Sequence, residues 1–171
     1  MTFIHNESLH IFDCDGVILD SNFLKIDSIK NALKKVGVPD KIIKLCVSSF
    51  KINFGKTRDS HFLRFTEIFL DEGFPHLCNF INEAKSIYSS NVVELYSNAK
   101  LISENVQFMK KLNWQSDCFV VSGSSQNELR AILPRKLNFI KSAIIFGGPN
   151  EKNINVAKIL KRSSKNNAIL Y

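Results

Sequence analysis

Two carboxylates at the end of a short apolar run are the first residues in this sequence whose spacing suggests chemistry. Asp13 and Asp15 flank Cys14, and Gly16 follows them. Negative charges this close raise each other's pKa, so the pair is unfavourable unless a cation neutralises it. Mg²⁺ would do so, because it prefers carboxylate and carbonyl oxygens and keeps open positions for phosphate oxygens. A solvated Asp-x-Asp-Gly turn is the alternative interpretation.

A serine-rich segment lies between a second apolar run and the start of a helical pattern. Residues 122–125 read Ser-Gly-Ser-Ser, and hydroxyl groups with unpaired backbone N–H groups at a helix N-terminus form an anion site. The alternative is a plain serine N-cap. Ligands of open parallel sheets bind beyond the carboxyl ends of the strands. We therefore expect Ser122 to share one crevice with Asp13 and Asp15.

A single lysine could place its positively charged side chain in the same crevice. Lys152 follows the turn Gly-Gly-Pro-Asn of residues 147–150, just after a third apolar run. One more surface lysine is the alternative interpretation of this residue.

The apolar runs that precede these polar segments predict buried strands. Helical patterns separate the later ones, with Leu129, Ile132 and Leu133 in one helix and Ile154, Ala157 and Leu160 in the next. Apolar strands that alternate with amphipathic helices are typical of an α/β fold with a parallel sheet covered on both faces. The four predicted strands are residues 9–12, 118–121, 143–146 and 168–171.

About 100 residues separate the first two predicted strands, far more than a simple crossover requires. Apolar residues recur there every three or four positions, and Gly37 and Gly73 end two of the predicted helices. We predict a helical cap over residues 20–95, inserted into a core formed by residues 1–19 and 96–171. Hinges are expected near Asp20 and Tyr96.

In this order the motifs resemble those of the haloacid dehalogenase superfamily of phosphohydrolases. The opening, HIFDCDGVILDS at residues 10–21, is very similar to that family's first motif, and the S-G-S segment and the later lysine follow in the family's order. The resemblance covers the chain from about residue 9 to its end. It is nearest to the capped subgroup with phosphoglycolate phosphatases and β-phosphoglucomutases, and it implies a Rossmann-like core with an inserted helical cap.

The resemblance also implies a role for each residue of the crevice. Asp13 would be the nucleophile that forms an aspartyl phosphate, and Asp15 would be the general acid and base. Ser122 and the Gly123 amide would hydrogen-bond a phosphoryl oxygen, and Lys152 would balance the negative charge. Asp15 also argues against the dehalogenase branch, whose members lack this second aspartate.

Substrate-binding residues are expected at two places. Ser124 lies beside Gly123 in the serine-rich segment, and Lys56 and Arg58 lie on a turn before a cap helix, where capped relatives contact substrate. Arg58 would grip a carboxylate or a distal phosphate with two hydrogen bonds. A surface arginine at a helix N-terminus is the alternative.

Mg²⁺ is the implied cofactor, with Asp13 and Asp15 as its protein ligands. The family completes this site with an acidic pair after the fourth strand, whereas the given sequence ends at Tyr171 within that strand. We expect either a C-terminally truncated chain or one that no longer does chemistry, and a longer form with the acids is expected to be active. An exposed sheet edge is a further expectation.

Three functions follow from these expectations. The first is a Mg²⁺-dependent phosphatase of a small phosphorylated metabolite that acts through an aspartyl phosphate. The second is a sugar-phosphate mutase, and the third is a catalytically inactive domain that still binds phosphate.

Composition and spacing argue against nucleic-acid-binding, zinc-binding, membrane-spanning and secreted proteins. Lys and Arg number 23 against 16 Asp and Glu, a net charge of +7, but the basic residues are scattered and form no nucleic-acid-binding motif. The four cysteines and four histidines lack the spacing of a zinc site. No apolar run approaches the roughly 20 residues of a membrane span, and the first residues lack the pattern of a signal peptide. We expect a cytoplasmic protein without a nucleic-acid or membrane partner; its oligomeric state is not predicted.

Overall fold

A computed structural model of the chain describes residues 8–163, 165 and 167–171. The chain start, which enters the prediction of a cytoplasmic location, lies outside the described residues. Within them, four parallel strands form one sheet in the order β5-β4-β1-β6, and two short antiparallel strands, β2 and β3, form a separate ribbon. This confirms the predicted α/β class with a parallel sheet. The strands are β1 Ser8–Phe12, β2 Leu19–Asp20, β3 Lys100–Leu101, β4 Cys118–Ser125, β5 Ile145–Gly148 and β6 Asn167–Leu170.

Helices fill the long segment between β2 and β3. Four of the α-helices, α1 to α4, lie in that segment, so the chain leaves and re-enters the sheet region through the β2–β3 ribbon. The division into core and cap at the predicted boundaries stays a prediction. No helix in the described part of the chain is both long and apolar enough to cross a membrane. The helices are α1 Asn22–Lys35, α2 Asp40–Ile52, α3 Arg58–Asp71, α4 Ile81–Asn98, α5 Ser103–Met109, α6 Gln126–Lys136 and α7 Lys152–Arg162, with 3₁₀ turns at Pro75–Phe80 and Ser142–Ile144.

Successive side chains of a strand point to opposite sides of the sheet. Because consecutive residues of the strands are apolar, both faces of the sheet are apolar. In β1, Leu9 and Ile11 pack with Val121 and with Ile159 of α7 on one face. Phe12 belongs to the larger cluster on the other face, which continues without a break into the helices between β2 and β3. The cap helices therefore share one apolar core with the sheet.

Two predicted strands have boundaries that are wrong by two residues or more. β4 continues through the serine-rich segment to Ser125, which pairs with Gly148 after an irregularity beyond Val121. β5 begins only at Ile145, because the two residues before it belong to a 3₁₀ turn. Strand pairing uses backbone groups, so polar and glycine residues extend a strand that hydropathy alone would end.

The predicted inward face of α7 is also wrong. Ile154 and Leu160 are 46% and 44% exposed, whereas Asn155 and Ile159 are buried. The Asn155 side-chain amide donates a hydrogen bond to the Gly147 carbonyl at 3.2 Å. A polar residue with a partner can lie inward, which a search for apolar residues overlooks.

The loop after β1 is tight and depends on a glycine. The Gly16 amide donates to the Leu19 carbonyl at 2.8 Å, and the Leu19 amide donates to the Cys14 carbonyl at 2.9 Å. Gly16 has φ +79°, which L-residues with a side chain rarely adopt. An added methyl group would also lie 2.5 Å from the side-chain nitrogen of Asn22.

We expect Gly16→Ala to lower the free energy of unfolding by at least about 1–2 kcal/mol, the cost of a left-handed backbone with a side chain. Gly73→Ala is the matched control, because Gly73 has the same φ of +79° with no atom near an added methyl group. Urea unfolding measures both variants. A smaller loss in Gly16→Ala than in Gly73→Ala would contradict the crowding against Asn22.

Candidate active site

Asp13 lies directly after β1, at the carboxyl end of the sheet, and pairs with Lys152. The Lys152 ammonium contacts one Asp13 carboxylate oxygen, and the Cys14 amide donates to the other at 2.7 Å. Burial raises the pKa of Asp13, and Lys152 only partly opposes this rise. The side chains of Lys152 and Asp13 are 30% and 26% exposed. Solvent and a small ligand can therefore reach the pair.

Asp15 has a different environment, since its carboxylate is enclosed by donors. Ser21 Oγ and the Tyr96 hydroxyl donate to Oδ1 at 2.7 and 3.0 Å. Lys25 Nζ and Ser124 Oγ donate to Oδ2 at 2.9 and 3.0 Å. Burial by itself raises the pKa of Asp15, but the Lys25 ammonium and these hydrogen bonds outweigh it and hold the pKa below its usual value. Asp15 is therefore an ionised acceptor in this arrangement.

Three of the donors come from the segment between β2 and β3. Ser21 occupies the N-cap position of α1 but makes no capping bond, since its hydroxyl donates to Asp15. Lys25 follows one turn later in α1, and Tyr96 lies near the end of α4. The sequence analysis missed Lys25, although it lies four residues before the buried Ile29 and thus on the buried stripe of α1.

The serine-rich end of β4 meets Asp15 and the cap. Ser122 is buried, and its hydroxyl donates to Asp15 at 3.4 Å and accepts from the Ser124 amide at 3.1 Å. A methyl group on Gly123 would lie 2.3 Å from the Lys56 carbonyl oxygen. The backbone of the cap turn therefore touches the end of β4. The roles of Ser122, Gly123 and Ser124 in phosphate binding stay predictions.

Arg58 is committed to partners within the chain. Its guanidinium donates to Glu128 of α6 at 2.7 Å and to Ser89 at 2.8 Å, and it lies 5.2 Å from the centre of the Tyr88 ring. It therefore connects α3 with α4 and α6. Its predicted role in substrate binding stays a prediction, and the pair with Glu128 would have to open for it. Lys56 is exposed and has no ion pair among the described residues.

The described residues do not by themselves make a Mg²⁺ site. No group of three or more His, Cys, Asp or Glu side chains in the described ranges is arranged to hold a metal ion. Both carboxylate oxygens of Asp15 are occupied by donors, so Asp13 is the one of these two aspartates that faces solvent. The prediction that Asp13 and Asp15 bind Mg²⁺ therefore stays a prediction, in which Asp15 contributes its backbone carbonyl.

His61 of α3 is a buried titratable residue that the sequence analysis did not single out. Its side chain is 7% exposed, and its ring centre lies 4.4 Å from that of Phe50. Burial and the nearby Lys25 charge lower the pKa of His61 to about 4, although Glu151 opposes the shift. The imidazole is therefore neutral near pH 7.

Comparison with known proteins finds likeness in structure alone. No protein-family model matches the sequence, and no curated protein matches it. A hydrolase from Pseudomonas syringae superposes with a TM-score of 0.66 at 14% identity, over 96% of this chain and 74% of the other. A protein from Haemophilus somnus 129PT, named as a predicted phosphoglycolate phosphatase, gives 0.61 at 18% identity, over 86% and 67%. A haloacid dehalogenase-like protein of unknown function from Agrobacterium tumefaciens gives 0.60 at 17%, over 95% and 72%.

The chain has a haloacid dehalogenase-like fold. At these identities the likeness is one of fold, and activity has to be argued from the site. In this fold Asp13, Asp15, Ser122 and Lys152 lie at the carboxyl edge of the sheet, where they form two pairs. Asp13 pairs with Lys152, and Asp15 accepts from Ser122.

We expect Lys25→Met to lower the free energy of unfolding by about 3–5 kcal/mol, because it leaves the Asp15 charge buried without its counter-ion. The double variant Lys25→Met/Asp15→Asn should recover part of this loss, since no buried charge remains. Urea unfolding of the two single variants and the double variant gives the coupling energy. Strictly additive losses would show that Lys25 and Asp15 do not depend on each other.

Stability should fall as the pH is lowered from about 6.5 to about 4, because the His61 imidazole binds a proton in the unfolded chain more readily than in the folded one. The expected contribution is about 2 kcal/mol lost at about pH 5. Unfolding at neutral pH and at about pH 5 measures it, with His61→Gln as the control. An equal pH dependence in His61→Gln would contradict the shift.

Proposed function

We propose that the chain is a phosphatase of a small phosphorylated metabolite, with Asp13 as the nucleophile. The observation that carries this proposal is the solvent-accessible pair of Asp13 and Lys152. The pair stands at the carboxyl edge of a parallel sheet, in a fold shared with a protein named as a hydrolase and with one named as a predicted phosphoglycolate phosphatase.

In the first step, an Asp13 oxygen forms a bond to phosphorus as the bond from phosphorus to the ester oxygen breaks. The leaving oxygen takes a proton, and Lys152 offsets the charge that the phosphoryl group brings to Asp13. Asp15 would supply that proton only after Lys25 has moved away and Asp15 has taken up a proton from solvent, because the enclosed carboxylate is ionised.

In the second step, a water oxygen attacks phosphorus and the bond to Asp13 breaks, which releases inorganic phosphate. Asp15 takes a proton from this water, and an ionised Asp15 is already in the state that this step needs. Ser122 and Gly123 would donate to the phosphoryl oxygens.

A second candidate is a phosphate-binding domain without turnover. The enclosure of Asp15 by Lys25 favours it, as does the absence, among the described residues, of three or more acids, histidines or cysteines arranged to hold a metal. Both candidates use the Asp13–Lys152 crevice to bind phosphate, and only the first breaks a bond.

We expect weak Mg²⁺ binding and slow but measurable turnover of the generic substrate p-nitrophenyl phosphate, because few acids among the described residues could hold the metal. Any turnover should disappear in Asp13→Asn, because an amide cannot act as the nucleophile. Calorimetry with Mg²⁺ and a colorimetric assay on freshly purified protein test this. Turnover that persists in Asp13→Asn would overturn the nucleophile assignment.

Phosphate binding distinguishes the two candidates from a domain that neither binds phosphate nor hydrolyses a phosphate ester. Calorimetry with inorganic phosphate should show binding that Lys152→Met weakens by about tenfold or more, since a charge-assisted contact is lost. Lys141→Met is the control, because Lys141 is exposed and has no ion pair among the described residues. Binding without turnover favours the second candidate, and no binding rejects both.

A further inference from the structure

The helices α1 and α2 carry most of the excess positive charge of the chain. Residues 22–52, which contain both helices, include seven lysines and two aspartates, a net charge of +5, whereas the whole chain carries +7. The sequence analysis treated the basic residues as scattered, but α1 and α2 pack against each other in the fold. Charges that are spread along the sequence therefore meet on one part of the surface.

A groove between α1 and α2 brings three of these lysines together. Lys30 and Lys34 of α1 and Lys44 of α2 line it, and Asp40 is the one acid among its described lining residues. All four residues are exposed. The groove has a volume of about 480 Å³, within the range of roughly 300–1,000 Å³ that is usual for ligand sites. It is therefore large enough to hold part of a bound partner.

Little in the described chain neutralises these lysines. Lys34 and Lys44 form no ion pair in the described ranges, and Lys30 pairs only with Asp27, at 3.2 Å, whose side chain is 41% exposed. Lys30 and Lys34 also lie four residues apart, a spacing at which like charges destabilise a helix. The dipole of α1 favours Lys34 in its last turn, but Lys30 and Lys44 lie further inside their helices. An acidic partner would relieve the repulsion among the three lysines.

The groove lies on the side of α1 that faces away from the Asp13–Lys152 crevice. Lys25 contacts Asp15 beside the crevice, and Lys34 follows nine residues later. At 3.6 residues per turn this is about two and a half turns, so the two side chains point in opposite directions from the helix. Binding in the groove therefore does not block the crevice.

The residues of the groove favour an acidic segment of a protein over other anionic partners. None of the described residues that line it is aromatic, so the bases of a nucleic acid would find no ring to stack on. Ile43 and Val47 line it but are only 7% and 8% exposed, whereas a membrane-binding face needs apolar side chains that can enter the lipid. Asn31 and Ser48 also line the groove and can hydrogen-bond the backbone of a peptide. A polypeptide can thus place single carboxylates beside the lysines and small apolar side chains over the floor.

We propose that the groove between α1 and α2 is a docking site for an acidic segment of a partner protein, whose carboxylates pair with Lys30, Lys34 and Lys44. Such a contact is mainly electrostatic, because the apolar residues of the groove are nearly covered. The complex should therefore form quickly and weaken strongly as the salt concentration rises. The proposal is independent of the proposed function, since the crevice takes no part in it.

A fluorescein-labelled peptide of alternating glutamate and alanine is the probe, and the same peptide with glutamine in place of glutamate is its neutral control. Fluorescence anisotropy should show binding of the acidic peptide alone at about 0.1 M salt, where charges more than about 10 Å apart are largely screened. Lys34→Glu/Lys44→Glu should weaken this binding about tenfold or more, since repulsion replaces two charge pairs. The matched control is Lys110→Glu/Lys111→Glu, which changes the net charge equally at two exposed lysines outside the groove. We expect that variant to bind within about twofold of the unmodified chain.

A second measurement uses the unmodified chain, and urea unfolding verifies that both double variants are folded. Chemical-shift changes in ¹⁵N spectra on addition of the acidic peptide should map to residues 30–48. Equal weakening in the two double variants, or shift changes spread outside this segment, would show attraction to the net charge alone and overturn the proposal. Absence of binding would overturn it too, as would tighter binding of single-stranded DNA or of phosphatidylserine-containing vesicles than of the peptide.

Discussion

A carboxylate without solvent around it has to be neutralised from within the protein, and Asp15 imposes this requirement on the surrounding structure. Its partners come from α1, from α4 and from the end of β4. Because removal of one partner leaves a buried charge, the cost of separating these elements is high. The orientation of α1 and α4 relative to the sheet therefore depends on the polar contacts of Asp15 as well as on the apolar core.

Contacts at the rim of the crevice reinforce this arrangement. Arg58 reaches Glu128 of α6, and Ser60 donates to Glu151, directly before α7, at 2.7 Å. Lys136 of α6 donates to the carbonyls of Ser97 and Ala99, at the end of α4, at 2.8 and 2.9 Å. The Arg58–Glu128 pair is itself largely buried, with side chains 17% and 15% exposed, so removing one partner would leave a poorly solvated charge. The contacts at Asp15 and at Arg58 therefore both oppose opening of the crevice.

The strand and helix alternation could be predicted from the sequence, because buried parallel strands are continuous apolar runs with polar ends. Three features could not. α2 was not singled out within the predicted helical segment, although Ile42, Cys46 and Phe50 recur at helical spacing and are buried. The inward face of α7 contains Asn155, whose partner is the Gly147 carbonyl of the preceding strand β5. Lys25 lies on the buried stripe of α1 because it pairs with Asp15, ten residues earlier. The sequence does not show that folding brings these two side chains together.

The backbone beside Asp13 has a partner at the far end of the sequence. The Asp13 amide donates to the Tyr171 carbonyl at 3.1 Å, and the Tyr171 ring stacks on Phe12 with ring centres 4.5 Å apart. During synthesis the first strand leaves the ribosome long before the residues of β6 exist. The segment that carries Asp13 therefore lacks this support until β6 has been made, so this side of the crevice takes shape only after β6 pairs with β1.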